Sequence, residues 1–173
     1  VDKSFWSIMN SFAKHKVYMV CENELSKYEL MYAQNYFEKE ILPLLSPTIV
    51  SNSGRFPFIP GGDICVGMLI ENKNGDKNIA FVSTKTPAER LVMLPSDGHK
   101  FVLCEELIYR FASKIFPKHK VLDKTIFRIT RNADLDADEA FVDHEAHFNY
   151  RDMMEILLKK RVKLAPVRIE FCK

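Results

Sequence analysis

Glycine is scarce, with six among 173 residues, and none stands in a phosphate-cradling pattern. Neither GxxxxGK[ST] nor GxGxxG occurs, and Gly61-Gly62 is only a turn signal. A nucleotide site built wholly from this chain is therefore not expected. No Gly-x-Ser-x-Gly elbow marks a nucleophilic serine. The four cysteines, Cys21, Cys65, Cys104 and Cys172, are far apart and form no CxxC pair. That spacing excludes a zinc knuckle and argues against a disulfide framework. Reduced, structural thiols of a cytosolic protein are expected. No apolar run approaches the roughly 20 residues that span a bilayer. The start of the chain, with Asp2, Lys3 and Lys14, does not read as a signal peptide. Charge of one sign is also lacking: 25 Lys and Arg face 23 Asp and Glu. So near a balance implies neither a nucleic-acid nor a membrane partner. There is no internal repeat and no low-complexity segment.

What is present is enough apolar material, 47% of residues, to bury the core of one domain. Phe5, Ile8, Met9 and Phe12 have helical spacing, and Val17–Cys21 reads as extended. Ser26 with Glu29 is a capping box. It opens a helix carrying Leu30, Ala33, Phe37, Ile41 and Leu44 on one face, closed by Pro43 and Pro47. Residues 46–63 read as a long ordered loop pinned to the core by Phe56-Pro57-Phe58-Ile59-Pro60. Ile64, Val66, Met68 and Ile70 alternate as one face of a strand. Asn74-Gly75 then turns the chain into a hairpin with residues 79–82. Residues 91–94 and 101–103 suggest a second pair. Cys104, Leu107, Ile108, Phe111 and Ile115 form a helix stopped by Pro117. Phe127 and Ile129 lie on a strand showing Arg128 on its other face. Tyr150, Met153, Met154, Leu157 and Leu158 mark a helix, and Val167, Ile169 and Phe171 a closing strand. The expected class is α+β, a mixed and mainly antiparallel sheet with packed helices and a helical lead-in. The chain starts at Val1 already in a helical pattern, which points to a piece of a longer polypeptide.

Two clusters invite chemistry. Asp143, His144, Glu145 and His147 have HExH spacing, one short of the HExxH that sets two ligands on one helical face. A polar helix surface or loop is the expected reading, and no metal site is expected. Arg128 and Arg131 flank a strand end, and Lys159, Lys160, Arg161 and Lys163 form a second cationic group. Guanidinium forks match phosphate oxygens, so a linear polyanion is a candidate ligand. The plain alternative is a solvated helix end with acid–base pairs to Asp134, Asp136 and Asp138.

Four segments together carry a resemblance. Residues 36–47 read YFEKEILPLLSP, residues 56–59 FPFI, residues 127–135 FRITRNADL, and residues 165–170 APVRIE. In this order and at about this spacing they resemble the polyphosphate kinase family of long bacterial enzymes, specifically its middle or head domain. Residues 17–25, VYMVCENEL, fit the strand that enters that domain. The resemblance implies an α+β fold similar to that of phosphohistidine phosphatases. It implies a parent that moves the terminal phosphate of ATP onto polyphosphate with magnesium. The phosphorylated histidine and nucleotide-binding arginines would lie in C-terminal domains absent here. It also implies a homodimer or higher oligomer, and a cytoplasmic parent, with peripheral attachment to the inner membrane as an option.

The departures are specific. His15, His99, His119, His144 and His147 match no catalytic-histidine motif. The asparagine-bearing adenine-contacting helix is absent. Pro60-Gly61-Gly62-Asp63 replaces the usual Ser-Asn-Leu-Ser-type stretch. Residues 1–16 are expected to end a preceding helical domain or linker, and 17–173 to form the middle domain. No catalytic residue and no cofactor is expected in this chain, with ATP and magnesium serving the parent. The leading expectation is a non-catalytic structural and dimerisation domain. The alternative is a polyanion-binding module that uses Arg128, Arg131, Lys159, Lys160 and Arg161. A free-standing phosphatase-like enzyme would need a histidine in a phosphate loop, and none is evident.

Overall fold

Two sheets share a core with the helices in the computed structural model, which describes residues 2–50, 56–85, 88–96, 98–132 and 165–172. The chain runs α1 (Asp2–Lys14), β1 (Val17–Met19), α2 (Lys27–Tyr36), β2 (Thr48–Val50), β3 (Ile64–Glu71) and β4 (Lys77–Ser83). It continues through β5 (Leu91–Met93), β6 (His99–Leu103), α3 (Cys104–Arg110), α4 (Ala112–Ile115), β7 (Lys120–Arg131) and β8 (Pro166–Cys172). The larger sheet has the order β2-β4-β3-β7-β8 and every pair in it is antiparallel. The smaller, β1-β6-β5, joins a parallel pair to an antiparallel one. The architecture is the α+β class expected, with the helical lead-in present as α1.

Alternation explains how β3 becomes the central strand. Val66, Met68 and Ile70 enter the main core with Ala33, Phe37 and Ile41 of the helical layer and Leu107 and Ile108 of α3. The preceding residue, Cys65, is buried on the opposite face with Ile59 and Phe81. A strand buried on both faces belongs at the centre of its sheet.

The Ser26 capping box forms as read: Glu29 N–H donates to Ser26 Oγ at 3.3 Å and Ser26 N–H to Glu29 Oε2 at 2.8 Å. The helix is not uniform, however. After Tyr36 it widens to a π-turn over Phe37–Ile41 and then tightens to 3-10 geometry over Leu42–Leu44. Ala33, Phe37 and Ile41 stay buried, while Leu44, read onto the same face, is 43% exposed. The changed winding at Pro43 rotates it outward. The stretch 46–63, read as a long ordered loop, also contains a short strand, β2, because Thr48–Val50 pairs with β4. β7 begins at Lys120, seven residues before the Phe127 alternation, since β3 supplies partners along its length. The helix read around residues 150–158 lies outside the described residues.

Candidate functional site

Arg131 ends β7 and, by strand alternation, shares the face of Phe127 and Ile129. Its guanidinium donates to the Ile59 carbonyl from Nε at 3.0 Å and from Nη2 at 2.7 Å. It also lies 4.2 Å above the Phe58 ring, within cation–π range. This side chain clamps the FPFI loop onto the sheet. Gly62, at φ +86°, completes the turn, and its N–H donates to Ile129 O at 2.8 Å. Phe56 stacks on Phe81 with ring centroids 6.1 Å apart. Of the loop's apolar residues only Ile59 is buried; Phe56 and Phe58 stay exposed. The pinning expected from composition therefore comes from one isoleucine and an arginine.

Beyond the clamp the same sheet face is open among the described residues. A groove of about 550 Å³ is lined by Phe56, Gly67, Ile79, Phe127, Ile169 and Phe171 among others. Register places Cys65, Phe127 and Phe171 in one cross-strand row and Ile129 beside Ile169. Gly67 makes room for this row: a Cβ there would meet Phe127 Cε1 at 3.1 Å. The surface is mainly apolar, with Asp123, Lys124 and Thr125 as its polar lining residues.

Arg128 is exposed and lies opposite Glu170 on β8. Its surroundings form a cavity of about 290 Å³ that also holds Glu105, Glu106, Glu170 and Arg90. Arg128 thus lies opposite one carboxylate, Glu170, in a cavity that Glu105 and Glu106 also line, and Arg131 holds the loop. Lys159, Lys160 and Arg161 lie outside the described residues, as do Asp143, His144, Glu145 and His147. Among the described residues no three His, Cys, Asp or Glu side chains come together to hold a metal. The four cysteines are free, and burial pushes the Cys65 and Cys104 thiols up to about 11.

Buried carboxylates sit elsewhere, each paired with a cation distant in sequence. Glu22 accepts from Arg110 Nη1 at 2.9 Å, and Glu29 from Lys100 Nζ at 2.7 Å. Glu105 takes Arg90 Nε at 3.0 Å. The Lys100 ammonium and the Ser26 hydroxyl hold the Glu29 carboxyl down to about 2. Only the Ser26 half of the Glu29 network was legible locally. Lys100 lies 71 residues away, beyond any local pattern. No helix among the described residues is long and apolar enough to cross a membrane.

A family model described as the polyphosphate kinase middle domain matches residues 29–173. The chain is similar to the polyphosphate kinase of Bacillus anthracis, 33% identical over 159 residues, which cover 86% of this chain and 21% of that protein. Against the polyphosphate kinase of Mycobacterium leprae it is 27% identical over 179 residues, covering 95% and 24%. The crystal structure of polyphosphate kinase from Porphyromonas gingivalis superposes with a TM-score of 0.64 at 24% identity, over 74% of this chain and 21% of that one. This last likeness concerns the fold. The chain spans about a fifth of the length of the curated relatives it matches.

Proposed function

Because the chain belongs to the polyphosphate kinase family as its middle domain, we propose that it is the non-catalytic structural and dimerisation domain of a longer enzyme. That parent transfers the terminal phosphate of ATP to inorganic polyphosphate, with magnesium and nucleotide held by its other domains. α1 is the end of the domain that precedes this one, as the family match beginning at residue 29 suggests.

One observation carries this reading. The buried carboxylates are spent on internal ion pairs, whereas a set of large apolar side chains is turned outward: Phe56, Phe58, Ile79, Ile169, Phe171, and Trp6 and Ile8 of α1. A surface of that kind serves packing and assembly, not phosphoryl transfer. A polyanion guide finds less support at Arg131, which holds Ile59, and at Arg128, which lies opposite Glu170; Lys159, Lys160 and Arg161 lie outside the described residues.

The purified chain with ATP and magnesium is expected to form no polyphosphate. Its sedimentation coefficient is expected to rise with concentration. Sustained turnover by the chain alone would overturn the non-catalytic assignment, and a concentration-independent monomer would overturn the dimerisation role.

A further inference from the structure

β8 is the outer strand of the five-stranded sheet, and among the described residues no strand pairs with its free edge. Proteins usually blunt such edges by shortness, lysine or proline, because an unpaired row of N–H and C=O groups recruits other strands. The opposite edge obeys this rule, since β2 has three residues. β8 has seven, with Pro166 at its start and one charge of each sign, Arg168 and Glu170, which cancel within the strand. Val167, Ile169 and Phe171 are 63%, 61% and 64% exposed. A shallow groove of about 380 Å³ runs along Ile129 and residues 166–169.

The order of side chains along this edge says what covers it. Residues 167–171 read apolar, basic, apolar, acidic, apolar, a pattern that complements itself when reversed about Ile169. We propose that β8 pairs antiparallel with β8 of a second copy of this chain, centred on Ile169, so that two five-stranded sheets continue as one. Directly opposite residues of an antiparallel pair share a face. In this register Arg168 of each copy meets Glu170 of the other, twice. Val167 meets Phe171, twice, and Ile169 meets itself on the axis. Neighbouring same-face registers lose this match. Centring on Arg168 sets two arginines together, and centring on Glu170 sets two glutamates together. Arg168 and Glu170 already lie on one face, 2.8 Å apart within the strand. Pairing would interleave four charges of alternating sign. The interface is isologous, as two-fold symmetry requires.

The inference rests on the self-association read above and assigns its surface. The test uses the full-length parent carrying Arg168→Glu or Glu170→Arg, singly and mixed, with one partner fluorescently labelled for sedimentation. Each variant alone places like charges opposite each other twice. The dimer dissociation constant is then expected to rise about tenfold. Mixing the two variants restores every opposite-charge pair between unlike copies, so heterodimers are expected at wild-type affinity. Recovery on mixing cannot come from a folding defect. Single variants that dimerise like wild type would overturn the β8 surface while leaving dimerisation intact, and would point to another segment of the parent on this edge. Weak singles with no recovery on mixing would overturn the register. A wild-type parent that stays monomeric would overturn the self-association reading itself, and the β8 proposal with it.

Discussion

Glu29 is 5% exposed, yet its carboxyl is held near 2, against 4.5 for an ordinary glutamate, mainly by the Lys100 ammonium. A carboxylate whose folded pKa is depressed stabilises the fold at pH values above its unfolded pKa. It loses that contribution as pH falls through the folded pKa. Glu29 should therefore act fully at neutral pH and fade between about pH 4.5 and 2. Glu29→Gln is expected to cost about 2 kcal/mol at pH 7, after discounting for the partial exposure of Lys100. Urea unfolding at pH 7 and pH 2 checks this: the gap between wild type and variant should nearly close at the lower pH. A gap independent of pH would mean that the ion pair does not carry the effect. Arg131 also joins distant segments, through a backbone carbonyl and an aromatic face.

At the scale of elements, the β3–β4 hairpin was evident from Asn74-Gly75, though its loop is longer than a two-residue turn. Register pairs Glu71 with Lys77. The intervening loop is held by Asn72, whose Oδ1 accepts from the N–H groups of Asn74 at 2.8 Å and Asp76 at 3.0 Å. Only Gly75 takes positive φ, at +86°, and nothing lies within 4 Å of where its Cβ would be. The cost of a substitution there is thus conformational and not steric crowding. Gly75→Val is expected to destabilise by roughly 1–2 kcal/mol and Gly75→Asn by clearly less. Thermal unfolding of the two variants checks the order, and equal losses would refute it. The π-turn at Phe37–Ile41 was not legible in the same way. The 33-37-41 spacing suits an ordinary helix face, and the widened turn appears only once Pro43 and the packing of Phe37 on Phe111, 5.1 Å between centroids, are both satisfied.

Across the whole molecule, α1 stands apart. Phe5, Trp6, Ile8 and Phe12 are all at least 38% exposed, although their spacing is that of a buried stripe. Its tie to the rest comes through the chain itself, where Lys16 O accepts from His99 N–H at 3.0 Å as β1 joins β6. Removing residues 1–14 while keeping that junction is expected to leave Tm within about 2 °C. A fall of more than about 5 °C would place α1 in this domain instead of the preceding one. The ion pairs Glu22–Arg110, Glu29–Lys100 and Arg90–Glu105 work at this scale too. They fasten the helical layer to the smaller sheet across contacts 15 to 88 residues apart.

The residues alone determined most element types, the α+β class and the capping box, because each depends on patterns within a dozen neighbouring positions, and the family likeness, because its four short segments keep their order and spacing. Alternation in β3, β7 and β8 and the Phe127–Leu135 motif are of this kind. Tertiary structure alone decided that β1 lies parallel to β6, that β2 exists, and that Arg131 holds Ile59. It also decided that β8 is an edge among the described residues. These are long-range pairings. Their partners are chosen by which strand ends and side chains the folded core brings together, and no local pattern carries that information.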